Sequence, residues 1–353
     1  MKRQANFEVL RVVAMAMIVS MHFLHKGGII EPLTNNTTVV NITAWLIELL
    51  CIVAANCYML IAGYFLVEAE WKLKKLFMLV AQVLFYSLLI PVVCLFSGIG
   101  DVAEWTIYDW LVVVLPLQMD HYWFATAYIL VFMLSPILAA GVKALTKKQL
   151  EITILALLTY FCLFKTVCPL LLATDRYGYD YPWFICVFLV AAYIRLYGKQ
   201  GLTIGKSTFL TNTKKAIVPY ILSVVFMLVF SLLLGAVNAK TGNLDHYLNM
   251  VHSYNSIFTV IASVSLFYVF LHWQPKDKVF VRFVCKIAPY TFGVYLIHEN
   301  IVIRTLWPGW FGVEGVRGSW LFIPYMVLVV VVLFVICMTI DFVRKKLFSV
   351  IFK

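Results

Sequence analysis

The sequence predicts an all-α integral membrane protein: about ten transmembrane helices in one bundle, with N- and C-termini cytoplasmic. Three observations carry this. Of 353 residues, 63% are hydrophobic and only 13% charged, against roughly 25% charged in a soluble domain. Apolar runs of near-spanning length follow one another with no soluble domain between them. The basic residues alternate between the loops as the positive-inside rule requires.

The runs fall at roughly 7–29, 39–67, 73–98, 122–142, 150–172, 182–198, 216–237, 252–273, 288–307 and 318–343, each near the length that crosses a bilayer. The first follows a short basic lead, MKRQ, has no small-residue cleavage site after it and ends in histidines, so it reads as a retained span and not a signal peptide. Between the third and fourth runs, DWLVVVLPLQM (109–119) is too short to cross, contains Pro116, and reads as a re-entrant or interfacial segment. With the N-terminus inside, the inner segments hold all but six of the 28 Lys and Arg residues; the six are Lys26, Lys165, Arg176, Lys240, Arg304 and Arg317. The opposite face carries acidic residues, among them Glu31, Asp120, Asp175 and Asp180. An odd number of spans would spoil the alternation. The net charge of +11 is thus topological, and no nucleic-acid partner is needed to explain it.

The eight cysteines lie mostly inside apolar runs, with no CxxC pair and no zinc-like spacing, so neither a metal site nor a disulfide framework is indicated. There is no GxxxxGK phosphate loop to suggest ATP. Nor is there an inverted repeat of the kind many transporters show.

The chemistry concentrates in the first run. FEVLRVVAMAMIVSMHFLH (7–25) is apolar enough to span, yet holds Glu8, Arg11, His22 and His25, and ionisable groups within a span usually face a bundle interior or a cavity. From Arg11 to His22 a helix advances about 16.5 Å and turns about 1100°, close to three full turns. The two side chains therefore share a face, and Glu8 and His25, three residues outside them, extend the stripe. The plain alternative is that Arg11 reaches the inner headgroups and His22 makes a contact between helices.

LRVVAMAMIVSMH resembles the opening helix of the acyltransferase-3 family, multi-span proteins that move acyl groups from a cytoplasmic donor to extracytoplasmic glycans or lipids. Three further stretches match in order: CYMLIAGYFL (57–66) with WKLKKLF (71–77), DHYWFATAYILVFMLSPIL (120–138), and APYTFGVYLIHENI (288–301) with its Tyr-x-x-His element. The likeness covers nearly the whole chain. Two departures stand out. Ala62–Gly63 replaces the serine–glycine common in the second motif, and no soluble hydrolase-like domain follows the last span. Transfer would then be completed by the membrane unit or by a separate partner.

Acyl transfer to a hydroxyl needs a base and a group to stabilise the oxyanion. Imidazole titrates near neutral pH, which makes His22 either the base or a transient acyl carrier. Arg11 suits the phosphates or carbonyl of the donor, and Glu8 would hold it. Lys72, Lys74 and Lys75 would meet the donor's phosphates; their plain reading is ordinary inner-loop charge. The resemblance implies acetyl-CoA or a close acyl-CoA as donor. His25, His121, Trp123, Tyr295, His298 and Glu299 are the acceptor or pore candidates. The leading expectation is an acyl-CoA-dependent O-acetyltransferase in the bacterial cytoplasmic membrane, acting on a surface polysaccharide or its lipid-linked precursor. The competing class is a multi-span transporter or exporter of a polysaccharide or small solute.

Overall fold

A computed structural model describes residues 4–168, 176–204 and 206–352. Lys2, Arg3, Asp175, Lys353 and the last part of the expected span 150–172 lie outside the described residues.

Helix follows helix: α1 Ala5–Lys26, α2 Val39–Cys51, α3 Ala54–Leu66, α4 Leu73–Ser97, α5 Ile107–Val114, α6 Trp123–Ala144, α7 Lys147–Leu158 and α8 Lys165–Val167. The second half holds α9 Tyr181–Leu196, α10 Thr213–Thr241, α11 Asp245–Val251, α12 Ile257–His272, α13 Lys278–Ile287, α14 Thr291–His298, α15 Trp307–Trp310 and α16 Phe322–Ile351. The boundaries follow local chemistry. Thr38, Asp180, Asn212 and Asp277 cap the first turns of α2, α9, α10 and α13 through their side chains. Gly98 (φ 64°) and Gly242 (φ 68°) end α4 and α10 in the left-handed conformation that glycine adopts without strain.

Among the described residues, eight helical stretches are long and apolar enough to cross a membrane. Two shorter apolar helices, α9 and α12, stand at the expected sixth and eighth spans. Their 16 residues each rise about 24 Å, less than the roughly 30 Å hydrocarbon core. Rows of large apolar side chains face outward, such as Leu222, Val225, Phe226, Val229 and Leu233 on α10 and Val327, Leu328, Val331 and Val335 on α16. A bilayer covers such rows at no cost, and the chain is an integral membrane protein.

Two features depart from the sequence expectation. The ninth helical stretch runs from Lys278 to His298, earlier than 288–307. Val279, Phe280, Phe283, Val284 and Ile287 recur at helical spacing on the basic segment, so α13 forms there and leads through a 3-10 turn (Ala288–Tyr290) into α14. The helix then ends at His298 and residues 299–306 form turns. A two-stranded hairpin, Leu202–Ile204 paired with Ser207–Phe209, interrupts the all-α pattern. The segment 109–119 overlaps the short α5, whose start is a capping box between Thr106 and Asp109 and whose eight residues are too few to cross a bilayer.

Cross-links between the helices define two ends of the bundle. Asn6 bonds Phe270 O (2.9 Å), and Arg195 pairs with Glu68, at one end. Lys26 with Glu299, Arg317 with Glu31, and Arg176 with Asp120 mark the other. In between, α1 touches α2, α3, α12, α13, α14 and α16, which makes it the post around which the site is built. Helix α3 meets α9 at Gly63, where an added Cβ would stand 2.9 Å from Ala191 Cβ and 3.0 Å from Phe188 Cα. Gly63→Leu is expected to destabilise the bundle by about 1–3 kcal/mol through overpacking, seen as a lower unfolding temperature in detergent. An unchanged temperature would contradict this close approach.

Candidate active site

The polar groups of α1 and the end of α14 converge. His22 Nδ1 lies 2.9 Å from His298 Nε2 and 3.0 Å from Glu299 Oε1. Lys26, one turn beyond His22, pairs with the same Glu299 oxygen. His298 is buried and its Nδ1 lies 2.6 Å from Val294 O.

These contacts fix the tautomers of the neutral pair. A backbone carbonyl only accepts, so His298 Nδ1 carries a proton and donates it to Val294 O. His298 Nε2 is then a lone pair, and His22 Nδ1–H must be the donor that reaches it and Glu299. That leaves the lone pair of His22 on Nε2, which bonds to nothing among the described residues. The arrangement is a base whose far nitrogen is oriented by a carboxylate and a second imidazole.

The end of α14 is held from three sides. Asn300 Nδ2 donates to Tyr122 Oη (2.9 Å) and Tyr86 O (3.2 Å), and Tyr122 Oη donates to Leu296 O (2.9 Å). His121 Nε2 accepts the N–H of Ile301 (3.0 Å), while its Nδ1 faces Ser87 Oγ at 3.2 Å. Burial, then the Arg304 charge, push His121 down to about 3, which keeps it the neutral acceptor this contact needs. Both nitrogens are thus engaged, and His121 caps the broken backbone after Glu299. Further along, Asp341 of α16 is fully buried and takes Arg344 twice (2.9 and 3.0 Å), Tyr86 Oη (2.8 Å) and Gln82 Nε2 (3.1 Å). Gly293 of α14 lies on this cluster: a Cβ there would stand 2.3 Å from Asp341 Cγ.

The other sequence candidates fall elsewhere. Arg11 pairs with Glu8 (2.5 Å) and its carbonyl accepts from Tyr58 Oη (2.6 Å). On the shared face between Arg11 and His22 stand Ala14, Met15 and Ile18, all buried and apolar. The expected stripe is therefore two polar centres with an apolar layer between them. His25 turns away from His22 to meet Glu48 Oε1 (3.0 Å) and lies edge-on to Trp45. Trp123 sits among Tyr179, Phe184 and Tyr254. Tyr295 and Glu299 border a cavity of about 510 Å³ that also reaches Arg304 and Arg176. Lys72, Lys74 and Lys75 are exposed at the other end of the bundle, Lys72 paired with Glu70 (2.9 Å).

Sequence reasoning missed Lys26, Tyr122 and Asn300 as parts of this centre. The signal for Lys26 was its position four residues after His22, one turn along the same face. Asn300 directly follows the His298–Glu299 pair.

Donor atoms of His22, His298 and Glu299 lie within 4.8 Å of one another, and two histidines with a carboxylate are a familiar zinc set. Here Lys26 already neutralises the carboxylate, and the His22 nitrogen in the cluster holds a proton. Metal binding would have to displace both. The donors fit a proton relay better than a cation.

The family model described as an acyltransferase domain, Acyl_transf_3, matches residues 4–342. No curated protein and no solved structure matches the chain.

Proposed function

The chain belongs to the Acyl_transf_3 family of acyltransferase domains, and from that premise we propose that it moves an acetyl or other short acyl group from cytoplasmic acyl-CoA to a hydroxyl of a surface glycan or its lipid-linked precursor. The observation that carries this reading is the base: His22, its Nδ1–H held by His298 and Glu299 and its Nε2 left free, with its partner Glu299 bordering the cavity of about 510 Å³.

His22 Nε2 takes the proton of the acceptor hydroxyl as its oxygen adds to the thioester carbonyl. Glu299 stabilises the imidazolium that forms. The tetrahedral intermediate expels the CoA thiolate, which recovers the proton from His22 Nε2–H, leaving an ester and a free thiol. Arg11, held by Glu8, meets the donor's phosphates from the cytoplasmic side, with Lys72, Lys74 and Lys75 as further cationic contacts. Ten spans with both termini cytoplasmic, in a bacterial cytoplasmic membrane, give this polarity. The apolar layer of Ala14, Met15 and Ile18 supports an enzyme over a solute path, because a transporter needs a polar route through that depth.

The test feeds acetyl-labelled acetyl-CoA to membranes with and without the protein, in a host that makes surface glycan. Base-labile label is expected in the glycan fraction only when both protein and acetyl-CoA are present, and a chelator is expected to leave it unchanged. Label that does not depend on the protein would overturn the reading. Loss on chelation would restore a metal to the His22–His298–Glu299 cluster.

A further inference from the structure

The reaction just described leaves unused a second group of polar and aromatic residues, one turn of α1 beyond His22. His25 and Trp45 border a cavity of about 420 Å³ together with Glu48, His252 and Tyr254. Tyr177 and Tyr179 border both this cavity and the one at Glu299, so the two are neighbours across these rings. A third, of about 500 Å³, shares His25, Trp45, Asn249 and His252 and extends to Asn238 and Asp245. The three cavities lie side by side in a series that starts at Glu299 and leads away from the reaction centre.

Its lining has a definite chemistry. Flat rings stand along it: Trp45 stacks on His252 (4.4 Å, 25°) and Trp123 on Tyr254 (5.4 Å, 26°). Among them stands Glu48, only 6% exposed. Its Oε1 takes His25, while Oε2 is buried and accepts no hydrogen bond. A buried carboxylate oxygen without a donor is costly, and an incoming hydroxyl would remove that cost. Asn249, exposed on the same wall, adds an amide. On this wall the basic side chain His25 is already matched by Glu48, while Arg176 and Arg304 stand on the Glu299 cavity instead. Aromatic faces for C–H surfaces, with a carboxylate and an amide for hydroxyls, suit an uncharged sugar ring.

We propose that the Glu48–Trp45–His252 groove is a remote acceptor subsite, holding an unreacting sugar ring of a glycan chain while another ring of that chain presents its hydroxyl to His22. This rests on the acyltransferase reading and names its acceptor as an oligomer of two or more rings. Binding energy at the remote ring would be spent on positioning the reacting one.

The probes are free α-glucan, β-glucan and N-acetylglucosamine oligomers of one, two and four units, with the full chain in detergent. Transfer from labelled acetyl-CoA is measured alongside direct binding by saturation-transfer NMR. In at least one series, kcat/KM should rise with length by about 10–100-fold, the worth of one hydrogen bond to a charged group. Glu48→Gln and, at an exposed position that does not threaten the fold, Asn249→Ala should each collapse that ratio. Equal kcat/KM for one and four units, a ratio that survives both substitutions, or no oligomer bound would overturn the subsite. Oligomers that bind in a Glu48-dependent way but receive no acyl group would instead sink the acyltransferase reading and leave the subsite standing.

Discussion

His22→Ala is expected to lower acetyl transfer by about 10²–10⁴-fold, the range that a general base supplies, at equal protein level in the membrane. The size follows from geometry. His22 Nε2 is the free lone pair of the cluster, and removing the ring leaves the hydroxyl to ionise unaided. Glu299→Gln separates orientation from packing, because it keeps the shape at 3.0 Å from His22 Nδ1 but removes the charge that meets the imidazolium. It should lower kcat while leaving the KM for acetyl-CoA near its wild-type value, since on the proposed reading the donor's phosphates would be met far away at Arg11. Transfer in His22→Ala within tenfold of wild type would demote the histidine to a helix contact.

The largest expected effect on stability lies at Asp341. Asp341→Ala leaves the Arg344 guanidinium buried without its carboxylate and strips Tyr86 and Gln82 of their acceptor. Breaking a buried pair on one side typically costs about 3–5 kcal/mol. Replacing both members, Asp341→Leu with Arg344→Leu, should recover part of that loss, because no charge is then stranded. Unfolding of the purified chain in detergent reads both variants. A double variant no more stable than Asp341→Ala would mean that the cluster matters only as volume. Activity should fall along with stability, since α14 lies on Asp341 at Gly293, five residues before His298.

Much of this was legible in the sequence, for a physical reason. Charge inside an apolar run is expensive, so Glu8, Arg11, His22, His298 and Glu299 announced themselves, and helical spacing put Arg11 and His22 on one face. What the spacing did not give was the separation of the polar centres, because Met15 and Ile18 are unremarkable residues in an apolar helix. Lys26 and Glu48 were harder: a lysine at a helix end reads as a snorkelling charge, and Glu48 finds its partner only when α2 folds beside α1. The true extent of the ninth helical stretch was hidden because its first three turns carry Lys278, Arg282 and Lys286, which look like a loop until the apolar face of α13 is counted. His121 read as an acceptor or pore candidate from its neighbours; that it also accepts from Ile301 N beside Ser87 shows only once α14 has folded against it.

The apolar layer in α1 also acts as a ruler. Arg11 and His22 are about 16.5 Å apart along the helix, and on the face of α1 between them Ala14, Met15 and Ile18 offer nothing to hold a charge. A donor anchored by phosphate at Arg11, as proposed, would have to carry its acyl group on an uncharged tether long enough to pass Met15 and Ile18. Acetyl phosphate, whose acyl group is joined directly to its charge, would then be too short to serve, however reactive it is in water. On this account the selection of donors is made by reach before any chemistry begins.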